Sequence, residues 1–242
     1  MVKERKKNME YIVIIVISII FLGTLKFAWN IRLKDIKKLK ELGYNKELNE
    51  ITNKLPENKQ ICQTILKKLH NETVEIKEST DNKASLYIVL SNSILIANIK
   101  DTFTRVQTIA HECLHSVQNK RTLYFNFIFC NIYFLYFLVI CILTFMRLNS
   151  YPMLLLFGLV ILGCTYYTVR SSLEMDAMLK AKPLTKEYIE EEGTLNKQEQ
   201  ETILQNCETI NQIGIPLTNF QLVLNCTVKV ILYSLIVFIW CK

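Results

Sequence analysis

The sequence predicts a mainly α-helical membrane protein with a small β-sheet. Half of its 242 residues are hydrophobic, and they concentrate in four apolar stretches, each long enough to cross a bilayer as a helix. Between the first and second stretches, apolar residues first have helical spacing, then alternate with other residues over one segment, and then have helical spacing again. We therefore expect several membrane-spanning helices and a membrane-proximal domain in which helices surround a small sheet.

The spans and the polar segments between them predict the domain organisation. The first span is expected to be an uncleaved anchor, because Lys26 interrupts its end and no small-x-small cleavage site follows. The fourth span is the least regular, since Asn225 and Lys229 interrupt it. The predicted segments are a basic tail (1–10), transmembrane helix 1 (11–29), a helical and β segment (30–121), a transmembrane hairpin of helices 2 and 3 (122–169), a second helical segment (170–221) and transmembrane helix 4 (222–242).

Charge and cysteine usage narrow the function classes. The net charge is +7, and basic clusters at Lys3–Lys7 and Arg32–Lys40 lie beside apolar stretches, which favours contact with lipid head groups. A nucleic-acid partner is not expected, because no basic face is interleaved with aromatic platforms. The eight cysteines form no CxxC pair, and five lie in or at the spans, so we expect no disulfide framework.

The segment after the first span is expected to begin with helices. Apolar residues have helical spacing from Ile31 to His70, and Pro56 fits a helix start. His70 is expected to end the third of these helices, where a cation suits the macrodipole. After Arg170 a helix is expected to end at Pro183, and another covers Lys197–Ile213 before Pro216.

A small hairpin or sheet is expected from residue 73 onward. Val74 and Ile76, and later Leu86 and Ile88, alternate with other residues. Thr80–Lys83 offers a turn between the two runs, and Ser93–Ile99 is expected to add an extended edge. The following helix is expected to be capped by Asp101 or Thr102.

That helix carries the motif His111-Glu112-Cys113-Leu114-His115. Two histidines four residues apart project from one helical face and can hold one zinc ion. Glu112 is placed to act as a general base toward water activated by the metal, the HExxH arrangement of zinc peptidases. A chance match is disfavoured, because apolar residues recur at helical spacing through the motif: Val106, Ile109, Ala110, Cys113, Leu114 and Val117.

A third zinc ligand is expected from a carboxylate, since no histidine follows His115. The transmembrane hairpin returns the chain to the membrane face it left, which brings the region after Arg170 near the motif helix. Glu174 is the favoured ligand, and Asp176 is the alternative. Asp176 points about 200° away around a helix, so only one of the two can face the metal.

Three segments together resemble the bacterial membrane-bound neutral zinc metallopeptidases: Ile88–Ser91, His111–Gln118 and Glu174–Ala177. That family has an "LS" strand, a motif of the form HEvGHAiQ, and an E-F-D/N-A segment after a membrane hairpin. A helix near Glu199–Leu204 ahead of a final span also has a counterpart, so the resemblance covers most of the chain from about Cys62 onward.

The resemblance implies a gluzincin-like peptidase domain with zinc bound by His111, His115 and Glu174, and with Glu112 as the general base. It implies polypeptide or membrane-protein substrates. The chain departs from the pattern at Leu114, where the family usually has glycine, at Ser116, where it has alanine, and before Glu174, where its usual proline is missing. These departures bear on substrate choice and catalytic rate.

Two other functions remain open at this stage. Intramembrane proteolysis is disfavoured, because Arg105, Gln107 and Gln118–Arg121 make the motif helix polar. A zinc-dependent membrane sensor or scaffold without turnover is the alternative to a peptidase. The oxyanion donor, the substrate and the oligomeric state are left open, the donor candidates being Tyr166, Tyr167, Arg170 and His70.

Orientation in the cell membrane is weakly determined, since basic residues flank the first span on both sides. The larger cluster after the span and the free thiols favour a cytoplasmic catalytic face.

Overall fold

The computed structural model describes residues 2–79 and 84–240. This part of the chain is mainly helical and contains a small sheet, as the sequence predicts. The helices are α1 (Val2–Ala28), α2 (Leu33–Gly43), α3 (Lys46–Thr52), α4 (Asn58–Lys68), α5 (Arg105–Val117), α6 (Lys120–Phe145), α7 (Pro152–Glu192) and α8 (Lys197–Trp240). The strands are β1 (Glu75–Glu78), β2 (Leu86–Ile88) and β3 (Ser93–Ile96).

The chain divides into two compact units. We call them the span unit, Met1–Ile31, Phe125–Ser171 and Pro216–Lys242, and the site unit, Arg32–Tyr124 and Ser172–Ile215. Four helices, α1, α6, α7 and α8, are long and apolar enough to cross a membrane. This agrees with the four predicted spans.

The span unit has an apolar exterior and several buried polar side chains. Ile128 and Leu154 are 55% and 69% exposed, whereas Thr144 and Tyr233 are fully buried. Asn149 donates a hydrogen bond of 2.8 Å to the Tyr233 hydroxyl, and Thr144 donates one to the Ile140 carbonyl oxygen at 2.8 Å. Exposed apolar surface around an interior in which these polar groups are paired suits a hydrocarbon environment.

The site unit has the opposite arrangement, with an apolar interior beneath a charged surface. Its core is formed by α4, α5, α7, α8 and the sheet. The side chains of Ile61, Ile65, Ile94, Ile109, Cys113 and Ala177 are all fully buried in it. One face of α5 therefore packs into this core, which fixes the direction in which its opposite, polar face points.

The sheet differs from the predicted arrangement. Its strand order is β1-β3-β2, with β3 parallel to β1 and antiparallel to β2. The expectation that Ser93–Ile99 forms an edge is wrong, because Ser93–Ile96 is the central strand. Ser93, Ile94 and Ile96 are buried, as expected for a strand that has a neighbouring strand on each side. The predicted turn at Thr80–Lys83 lies outside the described residues.

Three predicted helix boundaries are also wrong. The residue before α5 is Thr104, not Asp101 or Thr102, and the Thr102 hydroxyl bonds the Ile99 carbonyl oxygen at 2.8 Å instead. Pro183 lies inside α7, and Pro216 lies inside α8. A proline removes one helical hydrogen bond, but tertiary packing of the surrounding turns can outweigh that loss. Around Pro183, both Ala181 and Leu184 are buried.

The first residue of α5 is held by a hydrogen-bonded arginine. Arg105 is fully buried, and its two terminal nitrogens donate to the carbonyl oxygens of Thr52, Leu55 and Pro56 and to Asn58 Oδ1, at 2.6–3.0 Å. Burial lowers the pKa of the guanidinium, and the four oxygens compensate its charge. This cluster joins α5 to the segment between α3 and α4.

Candidate metal centre

Two ring nitrogens on α5 meet at the centre of the site. His111 and His115 are one helical turn apart, and their Nε2 atoms lie 3.0 Å from each other. The two rings are nearly perpendicular, at 86°. The His115 side chain is only 10% exposed and that of His111 is 20% exposed, so both nitrogens lie in a partly enclosed setting.

The third group comes from α7, more than fifty residues later in the chain. Glu174 Oε2 lies 3.4 Å from His111 Nε2, and Glu174 Oε1 lies 3.7 Å from His115 Nε2. One ligand atom from each of the three residues lies within 4.8 Å of the other two. The structure therefore brings together the three residues that the sequence predicts as metal ligands. The carboxylate that lies beside the two histidines is that of Glu174, not that of Asp176.

The spacing of these atoms fits a metal ion. Metal–nitrogen and metal–oxygen bonds of about 2.0–2.2 Å in a tetrahedral site place neighbouring ligand atoms about 3.3 Å apart. The observed separations of 3.0, 3.4 and 3.7 Å bracket that value. Imidazole and carboxylate ligands also suit a divalent cation. The cluster of His111, His115 and Glu174 can thus hold a metal ion.

Gln118 orients one of the histidines. Its side-chain nitrogen donates to the Leu173 carbonyl oxygen at 2.8 Å and to Asp176 Oδ2 at 2.9 Å. Its Oε1 must therefore accept from His115 Nδ1, which lies 2.8 Å away. A proton on Nδ1 of the neutral ring leaves the Nε2 lone pair facing the cluster, as metal binding requires.

Asp176 therefore influences the cluster indirectly, through Gln118. Hydrogen bonds from Lys180 and Gln118 hold the pKa of this carboxyl below its usual value, so it is ionised at neutral pH. As an acceptor it fixes the amide orientation of Gln118, and through Gln118 the tautomer of His115.

Glu112 lies between the two histidines in the sequence and is held by the sheet. Its side chain is buried, and Oε2 accepts a hydrogen bond of 2.7 Å from the backbone N–H of Tyr87 on β2. Strand β2 forms an edge of the described sheet, so this N–H points away from β3 toward α5. The Tyr87 hydroxyl donates to Asn92 Oδ1 at 2.8 Å, and Lys120 donates to the same oxygen at 3.0 Å.

Sequence reasoning did not assign roles to Gln118 and Tyr87. Gln118 belongs to a quoted motif segment, and its position three residues after His115 is a signal that could have found it. Tyr87 contributes a backbone group, which any residue type supplies, so no side-chain pattern could have indicated it.

The two departures within the motif both fit their surroundings. Leu114 is buried in the core of the site unit. Ser116 is buried, and its hydroxyl bonds the Cys113 carbonyl oxygen at 2.6 Å while accepting from Asn71 at 2.9 Å. Among the oxyanion candidates, His70 belongs to the site unit, whereas Tyr166, Tyr167 and Arg170 belong to the span unit.

Comparison of the chain with protein-family models, curated proteins and solved structures finds no match. The resemblance to neutral zinc metallopeptidases therefore stays a prediction from the sequence.

Proposed function

We propose that the protein is a membrane-embedded zinc-dependent metalloendopeptidase of the neutral zinc metallopeptidase type, with a gluzincin-like site. One zinc ion would be held by His111, His115 and Glu174, and Glu112 would be the general base. The observation that carries the proposal is the convergence of the three ligand atoms within 4.8 Å, with a buried carboxylate between the two histidines in sequence.

Zinc is favoured by the donor set. Two imidazoles and one carboxylate leave a fourth tetrahedral position open, which is the arrangement of catalytic zinc sites. Magnesium and calcium prefer sites made of oxygen ligands. When bound, zinc supplies Lewis acidity that polarises a carbonyl group and lowers the pKa of water.

The protein's own groups then carry the proton. Glu112 takes a proton from the attacking water and passes it to the leaving amine of the cleaved peptide bond. The Tyr87 N–H, at 2.7 Å, keeps the Glu112 carboxylate in place. Gln118 keeps the proton of His115 on Nδ1. These contacts hold both groups before substrate binds, which reduces the reorganisation needed for reaction.

The long apolar helices support a multi-pass position in a membrane. We propose that this is the cell membrane and that polypeptides or membrane proteins are the substrates. We place the catalytic face in the cytoplasm, on the basis of the basic cluster at Arg32–Lys40. A reporter fused after Lys242 tests this directly. An extracytoplasmic reporter signal supports it, and a cytoplasmic signal contradicts it.

The experiment that tests the activity uses the full chain in detergent with one equivalent of zinc. We expect it to cleave an unfolded polypeptide, and a chelator to abolish cleavage. Glu112→Gln keeps the shape of the side chain but removes the base, so kcat should fall about 10²–10⁴-fold. Bound zinc, measured by elemental analysis, should be unchanged.

Glu50→Gln is the matched control, because Glu50 is exposed on α3. It should leave kcat at the wild-type value. Full activity of Glu112→Gln would reject the mechanism. A protein that binds zinc tightly yet cleaves neither unfolded polypeptides nor membrane proteins would favour a sensor or scaffold instead.

A further inference from the structure

Helix α2 carries apolar and basic side chains that the described part of the protein leaves uncovered. Leu33 is 75% exposed and Ile36 is 40% exposed, and Tyr44, which caps the end of the helix, is 76% exposed. Lys37 and Lys40 are exposed as well. At 3.6 residues per turn these five positions fall within about 100° of one another around the helix, and we call them the α2 face.

The opposite side of α2 contacts the rest of the site unit. Leu42 lies about 180° from Leu33 around the helix and packs against the core of the unit. Leu39 is partly buried, and no residue of α2 is fully buried. The α2 face therefore points away from the core of the site unit, and its apolar side chains are not covered by folding.

The chain connects α2 directly to a helix that is long and apolar enough to cross a membrane. This helix, α1, ends with Asn30 at a positive φ of 52°, and the Ile31 N–H donates to the Lys26 carbonyl oxygen at 3.0 Å. Such a left-handed end turns the chain away from the helix axis. Trp29, at the same end, is a residue type enriched where a membrane meets water. Only residues 29–32 separate the two helices, and five steps between Cα atoms span at most about 18 Å.

The charge of α2 complements an anionic surface. The segment from 32 to 41 contains five basic and two acidic residues, a net charge of +3. Each basic residue near an anionic bilayer raises the binding constant about fivefold. Two copies of the same positive face repel each other, so charge disfavours a second copy of this chain as the occupant. A bilayer surface instead offers phosphates to the lysines and hydrocarbon to the apolar side chains.

We propose that α2 is an interfacial helix that binds the surface of an anionic lipid bilayer. Leu33, Ile36 and Tyr44 enter the boundary between head groups and acyl chains, and the flexible side chains of Lys37 and Lys40 extend to the phosphates. The contact involves hydrocarbon as well as charge, so it goes beyond the head-group attraction that basic composition indicates. It includes no residue of the metal cluster and does not depend on the proposed peptidase function.

The test measures hydrogen exchange of the α2 backbone amides in the zinc-free full chain, reconstituted in lipid nanodiscs. One set of nanodiscs contains phosphatidylcholine alone, and the other also contains anionic phosphatidylglycerol. Binding to the anionic surface opposes local opening of the helix, so exchange in α2 should be about tenfold slower in the anionic set. The amides of α4, which packs in the core, are the reference and should exchange equally in both sets.

Removing the charge of the face should remove this difference. Lys37→Gln combined with Lys40→Gln keeps polar, helix-forming side chains, and it should reduce the effect of anionic lipid to about twofold or less. The matched control combines Lys59→Gln with Lys67→Gln, at two exposed positions of α4. It has the same net charge as the test variant and should keep the full tenfold effect.

Ile36→Gln tests whether hydrocarbon takes part. Glutamine forms helices at least as well as isoleucine but is unfavourable among acyl chains, so the slowing by anionic lipid should weaken severalfold. Leu90→Gln is the control, because Leu90 is 59% exposed and lies between β2 and β3. It should leave the slowing unchanged. Unfolding temperatures in the same nanodiscs show whether each variant is folded.

The remaining outcomes overturn the proposal. These are equal exchange of the α2 amides in the two sets of nanodiscs, and a full effect of anionic lipid in folded Lys37→Gln with Lys40→Gln. Slowing that depends on protein concentration in either lipid would assign the α2 face to a second copy. Slowing that requires an added acidic protein would assign it to a protein partner.

Discussion

The two ends of α5 carry two buried polar clusters that differ in chemical balance. At the first end, the donors of Arg105 meet oxygen acceptors at Thr52, Leu55, Pro56 and Asn58. The two terminal nitrogens of Arg105 are paired with these acceptors, whereas its buried Nε has no partner among the described residues. The positive charge lies among carbonyl dipoles, and these contacts fix α5 against the preceding segment.

At the other end, atoms that can serve as metal ligands converge on one another. The Nε2 atoms of His111 and His115 are 3.0 Å apart, with the Glu174 carboxylate 3.4–3.7 Å from them. Lone pairs directed at a common point repel unless a proton or cation lies between them. The comparison teaches that the Arg105 cluster, whose charge is met by the protein's own oxygens, fixes a helix, whereas the cluster of His111, His115 and Glu174 can hold a metal ion.

The largest effect that would test this comparison is expected from Arg105→Met. It leaves four neutral oxygens facing an apolar side chain, and each one that stays buried and unpaired costs about 1–3 kcal/mol, so the free energy of unfolding should fall by about 3 kcal/mol or more. Denaturant unfolding in detergent measures the loss. Lys100→Met is the control, because the Lys100 ion pair with Glu57 is exposed and should contribute less than about 1 kcal/mol. Equal losses in the two variants would contradict a structural role for the Arg105 cluster.

Removing a ligand at the other end should have a different signature. Glu174→Gln is expected to weaken zinc binding more than about a hundredfold. This exceeds the loss of about 10–100-fold that is usual when a residue that only hydrogen-bonds a metal ligand is changed. The substitution keeps the size of the side chain, so the free energy of unfolding of the zinc-free protein should change little. Competition with a fluorescent chelator measures affinity, and denaturant unfolding measures stability.

Asp176→Asn provides the contrast on the same helix. Asp176 acts only through Gln118, so zinc affinity should change by no more than about tenfold. If Asp176→Asn weakened zinc binding more than Glu174→Gln, the assignment of the third ligand would be reversed.

The smallest effect is expected from Gln118→Met, which removes the acceptor for His115 Nδ1. Without it the ring can rotate or change tautomer, so zinc affinity should fall about 10–100-fold while the fold is kept. Gln63→Met, at an exposed position of α4, should have no effect on affinity. An unchanged affinity in Gln118→Met would show that packing alone orients His115.

Much of the site could be predicted because it depends on local geometry. The spacing of His111 and His115 places both on one face of any α-helix, and the apolar spacing around them makes that helix amphipathic. Glu174 followed from chain order, since two spans between the segments return the chain to the same side. Apolar composition likewise predicted the spans.

Other features could not be predicted because they depend on contacts between distant residues. The backbone N–H of Tyr87 bonds Glu112 only because β3 became the central strand and left β2 at an edge. Pro183 was expected to end a helix, yet α7 continues through it, because packing outweighs a lost hydrogen bond.

The sequence by itself determined which residues can bind a metal and which segments are apolar enough to enter a membrane. Both follow from residue type and from spacing along a helix. Only the tertiary structure decided that Gln118 links His115 to Asp176. It also decided that Ile36 stays exposed on α2. Those features arise when the helices of the site unit pack together, and packing is set by the whole core, not by local pattern.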